Sequence, residues 1–313
     1  MTMSKNIATL IGFSAILMWS ALVGLIRVLS ERIDPVTSVT LLYSLSTIIL
    51  IIIFKIPNIF KIPKKYLFFT TLLFVSYELC FSFSVTLSIN IQQAIEVSVL
   101  NHLWPSLTIL FMLFFKEIKF QVLLLPGLLL ACFGVLYIQT NGFSLSSAQL
   151  YSNLKLNPIS YVLAFSAAFL WAAYCIVLIK FGKQKNIIAY LFLMTTITLW
   201  IKTLFFTEFH FPSIDPQSWL ILILAASCLG LGYAAWNIGV IHGNINILVS
   251  SSYFIPVLSA FCSAMIFQIR LESSFWIGVL IVVCGSLICW ASSRVKHRLP
   301  PKRPVLKPPA KVD

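Results

Sequence analysis

The chain has 313 residues, of which 59% are hydrophobic and 10% charged, with a mean hydropathy of +0.97. Soluble domains carry about 25% charged residues, so an ordinary water-soluble fold is excluded. The formal net charge is +13, but its cations are scattered through loops beside apolar runs, which marks membrane topology rather than a nucleic-acid surface.

At about 20 apolar residues per crossing plus short loops, the length holds ten helices and no sizeable soluble domain. In chain order the expected spans are 7–29, 36–54, 66–88, 94–115, 121–139, 158–180, 187–206, 217–238, 245–267 and 274–292. The first run is as long as a full span and has no small-x-small cleavage site before Arg27, which favours a span over a signal peptide. The polar stretch 140–157, rich in Ser and Asn, reads as a surface linker. Beyond the last span, the prolines and cations of 293–313 read as a disordered basic tail near anionic headgroups.

Lys and Arg number seventeen on the N-terminal side of the expected spans and five on the other. The positive-inside rule therefore puts both termini in the cytoplasm of a multi-pass inner-membrane protein. The seven cysteines all fall inside spans, as small apolar packers.

An internal repeat organises the chain. Pro105 and Pro256, Gly127 and Gly278, and Gly134 and Gly285 recur at a constant offset of 151 residues, and Trp19 and Trp171 at 152. Each repeat contains five helices. An odd-numbered unit enters the membrane with opposite orientation the second time, so the expected fold class is an all-α integral membrane protein of ten transmembrane helices. It is built as two inverted five-helix repeats, 1–139 and 158–292, around a central cavity. The glycines on one face of spans 5 and 10 suit close helix packing.

Several polar groups sit where hydrocarbon would penalise them. Glu78 in span 3 and Glu96 in span 4 would each cost about 2.5–3.5 kcal/mol facing lipid, so each faces the bundle interior. There it is either a structural hydrogen-bonding group or a cavity group that meets a substrate ammonium or a proton. Glu96 shares its helix with Asn101, His102, Trp104 and Pro105, which favours function there. Pro105 and Pro256 each remove a backbone hydrogen bond and free a carbonyl four residues earlier, those of Asn101 and Ser252. Trp19, Tyr77, Trp104, Trp171, Tyr174, Tyr233, Trp236 and Tyr253 lie within spans rather than at the interfaces, and Trp171/Tyr174 and Tyr233/Trp236 are spaced to share helix faces. Any one of these rings alone suits ordinary packing. As a set, with Asn101 and Asn237, they point to an aromatic-lined cavity for a flat amphipathic ligand.

No P-loop, metal-ligand cluster or nucleophile–base motif is present, so no cofactor is expected, and transport driven by this chain's own ATP hydrolysis is excluded. An enzyme lacks its nucleophile and base, and a membrane scaffold leaves the two acidic residues within spans unexplained.

The five-plus-five plan, Trp19-Ser20 in span 1, LWPSLTILF around Pro105 and the proline and glycines echoed in the second half resemble the drug/metabolite transporter superfamily in its EamA-type branch. The likeness runs from about residue 7 to 292. Within that branch, SYELC (76–80), QAIEV (93–97), PGLLLA (126–131), WAAYC (171–175), YAAWN (233–237) and SYFIPVLS (252–259) resemble exporters of aromatic amino acids. The resemblance implies gradient-driven efflux of Phe, Tyr or Trp by alternating access, through a cavity walled by spans 1, 3, 4, 6, 8 and 9. A broader exporter of amphipathic metabolites is the alternative. The implied partners are the small-molecule cargo and membrane lipids; the oligomeric state is left open. Two positions depart from the pattern: Tyr43 stands where many members carry arginine, and His102 where the exporter pattern has tyrosine.

Overall fold

The computed structural model describes residues 3–30, 32–33, 35–140, 142, 147–181, 186–206, 214–267 and 273–293. Apart from Ser293, the basic tail lies outside them. Thirteen α-helices follow in order: α1 (Lys5–Ser30), α2 (Pro35–Phe54), α3 (Lys64–Thr86), α4 (Ile91–Asn101), α5 (Trp104–Phe114), α6 (Leu124–Gln139), α7 (Ser147–Leu156), α8 (Pro158–Phe181), α9 (Ile188–Phe206), α10 (Pro216–His242), α11 (Ile245–Ser252), α12 (Phe254–Phe267) and α13 (Ser273–Ser293). No strand occurs among the described residues.

Seven of these helices, α1, α2, α3, α8, α9, α10 and α13, are long and apolar enough to cross a bilayer. The other three of the ten expected spans are built from shorter helices. Spans 4 and 9 are each two short helices, α4 with α5 and α11 with α12. Helix α6 is apolar, but its 16 residues reach only about 24 Å at 1.5 Å per residue, short of a hydrocarbon core of about 30 Å.

Proline accounts for where the helices break. Pro105 is the second residue of α5 and Pro256 the third of α12. Each lacks an N–H, and its ring clashes with the preceding turn, so each tolerates only the first turn of a new helix. The chain turns at His102 and Leu103 in the first half and at Tyr253 in the second. The outer pieces are capped alike: the side chain of Asn90 accepts from Gln93 N at 2.7 Å, and that of Asn244 from Ile247 N at 3.5 Å. Such caps satisfy backbone donors that helix starts leave orphaned.

The expected surface linker contains a helix, α7. Its Asn153 is fully buried. Asn90 Nδ2 donates to Asn153 Oδ1 at 3.1 Å, and Gln93 Nε2 donates to the carbonyls of Asn153 and Asn157 at 3.2 and 3.1 Å. A polar sequence with little helix periodicity is thus held helical by tertiary hydrogen bonds.

Three antiparallel pairs build the core. Helix α1 lies on α10 with Gly12 against Gly239 and Trp19 against Gly232. Helix α3 lies on α8 with Tyr77 against Trp171 and Phe74 against Tyr174. Helices α6 and α13 approach most closely through glycine. A Cβ on Gly127 would sit 2.9 Å from the backbone nitrogen of Cys289, and one on Gly134 would sit 2.7 Å from that of Val282. Conversely, Gly278 abuts Ile138 and Gly285 abuts the backbone of Ala131. These contacts are reciprocal, since each glycine's partner lies 151 residues from the partner of its repeat mate.

Two ion pairs join residues before the linker to residues after it. Arg32 lies 3.7 Å from Asp215, and Lys180 lies 3.8 Å from Glu117 with its ammonium 4.5 Å from the Phe115 ring centre. Asp215 caps α10, and the Ser218 hydroxyl and the Ser218 and Gln217 backbone N–H groups, with Arg32, hold its carboxyl below the usual carboxylate range.

Candidate functional site

The aromatic residues expected from the sequence converge, and Trp171 of α8 is their hub. Its ring centroid lies 4.9 Å from that of Tyr77, 5.3 Å from Tyr233, 6.0 Å from both Trp19 and Trp104, and 6.5 Å from Trp236. Tyr174 stands beside it at 5.2 Å. Trp104, at the first position of α5, meets Trp236 edge-on at 5.3 Å and 90°. Helices α1, α3, α5, α8 and α10 thus send rings to one point. The rings sit in mutual contact, many in the T-shaped geometry that ring quadrupoles favour.

Within this apolar cluster several polar atoms have no hydrogen-bond partner: Trp19 Nε1, Trp236 Nε1 and Asn101 Oδ1. Leaving such a group buried and unpaired costs about 1–3 kcal/mol, so a cluster of them calls for an explanation. Asn101 ends α4 at the break, close to the Tyr77 hydroxyl.

Other expected site residues make hydrogen bonds within the bundle. Asn237 Nδ2 donates to the Tyr174 hydroxyl at 2.8 Å and lies 3.4 Å from Asn186 Oδ1, while Asn186 Nδ2 donates to the Ala234 carbonyl at 3.1 Å. His102 folds its Nδ1 back to within 2.7 Å of the Ser98 carbonyl. Ser252 spends its hydroxyl on the Val249 carbonyl at 2.7 Å. Pro105, Tyr253 and Pro256 are buried at the two breaks.

The two buried carboxylates have different surroundings. Glu96 accepts the Tyr161 hydroxyl, and Asn153 Nδ2 stands 3.3 Å from both of its oxygens. Its helix turn packs with Tyr161 and Ala164 in a small cluster separate from the main core. The structure therefore does not bring Glu96 to the aromatic hub, although its neighbourhood in sequence pointed there. Glu78 accepts the Tyr43 hydroxyl on Oε2, while Oε1 is unpaired. It stands beside the hub, with Tyr77 adjacent in sequence and Tyr233 alongside.

Sequence reasoning missed Phe74, Phe192, Tyr43 and Asn186. Phe74 touches Trp171, Tyr174, Phe192 and Tyr233. It stands three residues before Tyr77, a spacing that places both on one helix face, but it is one of 26 phenylalanines in the chain. Tyr43 drew attention only as a departure from the family pattern.

The EamA-like transporter family model matches residues 6–140 and 158–291. Two proteins named aromatic amino acid exporter YddG are similar along nearly the whole chain. That of Salmonella typhimurium is 42% identical over 296 residues, covering 93% of this chain and 99% of its own. That of Escherichia coli is 43% identical over 298 residues, with the same coverage. A protein of the same name from Ancylobacter novellus is 23% identical over 263 residues, 82% of this chain and 88% of that one. A crystal structure at 21% identity superposes with a TM-score of 0.78 over 93% of this chain and 99% of its own, and shows the same fold.

Proposed function

The chain belongs to the EamA-like transporter family, and from that premise we propose that it exports phenylalanine, tyrosine and tryptophan across the inner membrane by alternating access. The observation that carries this reading is the buried ring cluster around Trp171 with unpaired polar atoms set into it. Rings suit an aromatic side chain. The indole N–H groups of Trp19 and Trp236 suit a carboxylate, and Asn101 Oδ1 suits an ammonium.

The two halves are inverted repeats that rock about this cluster. Support comes from the reciprocal glycine contacts between the antiparallel α6 and α13, the pattern that a two-fold axis in the membrane plane produces. The matched breaks of spans 4 and 9 supply discontinuous helices beside the site, as secondary transporters use them. Cargo reaches the ring cluster when the halves part. The excess of cations on the N-terminal side supports cytoplasmic termini, with the 140–157 linker outside.

The test is counterflow: proteoliposomes holding the purified chain and unlabelled phenylalanine should take up labelled phenylalanine, and excess tryptophan or tyrosine should compete. Failure of all three to exchange, with the protein folded and inserted, overturns the reading.

A further inference from the structure

The offset of 151 residues that relates the two halves also relates two sites with different contents. In the first half, Gln93 and Glu96 of α4 meet Asn157, Ser160 and Tyr161 around the start of α8, and α7 closes over them. Asn157 Nδ2 donates to Gln93 Oε1 at 3.1 Å and to the Ser160 hydroxyl at 2.9 Å. Glu96 accepts the Tyr161 hydroxyl, and Asn153 of α7 stands 3.3 Å from its oxygens. Shifted by 151, these five positions become Asn244 and Ile247 at the start of α11 and Asn6, Thr9 and Leu10 at the start of α1. Together with Lys5 and Phe13, they line a cavity of about 260 Å³.

The second site also differs in charge. Ile247 stands at the counterpart of Glu96, and Lys5 at the counterpart of Leu156, so an acidic wall is replaced by a basic one. Among the described residues that line the cavity, Lys5 is the charged one. The Thr9 hydroxyl is already engaged, donating to the Lys5 carbonyl and accepting from Asn244 N, each at 2.8 Å. The groups left to recognise a ligand are therefore the Lys5 ammonium and the Asn6 side-chain amide. Below them the wall is apolar. Leu10, Phe13 and Leu17 share one face of α1 by their spacing, and Leu10 and Leu17 are exposed on it. A cation and an amide above an apolar track match a phosphodiester headgroup and its acyl chain at a membrane surface. The volume falls just below the roughly 300–1,000 Å³ of sites for drug-sized ligands, which suits a headgroup alone.

We propose that this cavity binds the headgroup of an anionic phospholipid of the cytoplasmic leaflet. The lipid holds the start of α11 to α1, as α7 holds the start of α4 to α8 on the opposite face. The choice of leaflet rests on the cytoplasmic N-terminus argued above. The chain's own basic tail carries the sign of Lys5 and is the wrong partner for it.

The experiment is native mass spectrometry of the full chain in detergent with phosphatidylglycerol, phosphatidylcholine or soluble glycerol 3-phosphate added, together with melting temperatures. Wild type should retain phosphatidylglycerol several-fold more than phosphatidylcholine, and phosphatidylglycerol should raise its melting temperature. Lys5 and Asn6 are both exposed, so variants there should fold. Lys5→Gln removes the cation and Asn6→Trp fills the cavity while keeping it; each should lose the retention several-fold, and Lys5→Gln should lose the rise in melting temperature. Lys61→Gln, a change to an exposed cation outside the cavity, should behave as wild type. Equal retention of the two lipids, or unchanged retention by Lys5→Gln, overturns the site. Retention by Asn6→Trp would reduce Lys5 to a surface charge and overturns the cavity as the binding place. Displacement of the lipid by glycerol 3-phosphate would assign the cavity to a soluble phosphate instead. A melting temperature that phosphatidylglycerol does not move overturns the holding of α11. These readouts involve no transport, so the exporter reading stands or falls separately by counterflow.

Discussion

The side-chain oxygen of Ser106, one residue past Pro105, lies 2.5 Å from the hydroxyl of Tyr253, the residue at which α11 gives way to α12. The two broken spans therefore meet at their breaks. A hydrogen bond there couples the inner piece of one half to the turning point of the other, and groups that act as a unit respond non-additively when cut. Ser106→Ala and Tyr253→Phe should each slow phenylalanine counterflow several-fold, and the double variant should be no slower than the worse single one. Fully multiplicative losses would show that the two breaks move independently.

Trp171 is the hub of the ring cluster, so its size and its aromaticity can be separated. Truncation to alanine removes a buried tryptophan, which costs about 3–5 kcal/mol, and should lower the yield of monodisperse protein in size-exclusion chromatography. Trp171→Phe keeps a ring and should fold normally. Its apparent affinity for tryptophan should weaken several-fold, in line with about 0.5–1.5 kcal/mol per aromatic contact. Unchanged affinity across competing aromatic amino acids would assign Trp171 to packing alone.

Gly285 abuts the backbone of Ala131, which cannot swing aside as a side-chain tip can. Gly285→Ala should force α6 and α13 apart at an overpacking cost of about 1–3 kcal/mol, read as a lower unfolding temperature in detergent. Gly230→Ala is the control. Its added methyl would meet Leu50 and the Ser46 carbonyl at 3.2 and 3.3 Å, tight contacts that a few tenths of an ångström of relaxation relieve. Equal melting of the two variants would mean that the α6–α13 seam yields.

Glu96→Gln replaces one acceptor oxygen of a carboxylate that serves both Tyr161 and Asn153. Hydrogen bonds to charged groups contribute about 1.5–3 kcal/mol, so the variant should melt earlier. Asn153→Ala should melt earlier too and be no worse in combination. Neither change touches the ring cluster, so the concentration of phenylalanine giving half-maximal counterflow should stay within about twofold. A large loss of affinity with unchanged melting would bring Glu96 back into the binding site.

The sequence exposed what repeats or interrupts. Pro105 and Pro256 foretold the breaks because the proline ring acts locally, and the glycines of spans 5 and 10 foretold a close seam because only a missing side chain permits one. The rings of α8 and α10 were legible from their three-residue spacing. Contacts between distant segments were not. Glu96 was read with Asn101 and Trp104, its neighbours along the helix, but its partners Asn153 and Tyr161 lie 57 and 65 residues away. Helix α7 escaped notice because its polar residues give no apolar stripe, and its reason for being helical is the hydrogen bonding of Asn153 to another segment. Tyr43 and Glu78 meet across 35 residues, and nothing local in either helix announces the other.

The reciprocity of the glycine seats between α6 and α13 also limits how this chain can diverge. A duplicated sequence drifts freely wherever its copies do not touch, since a change in one copy asks nothing of the other. Along this seam a bulkier residue at position 134 lands on 282, and one at 285 lands on 131. Any enlargement on one helix therefore has to be met by a concession on the helix that descends from the same ancestral segment. The two copies are bound to change there together, and this seam is where a duplication should stay readable longest.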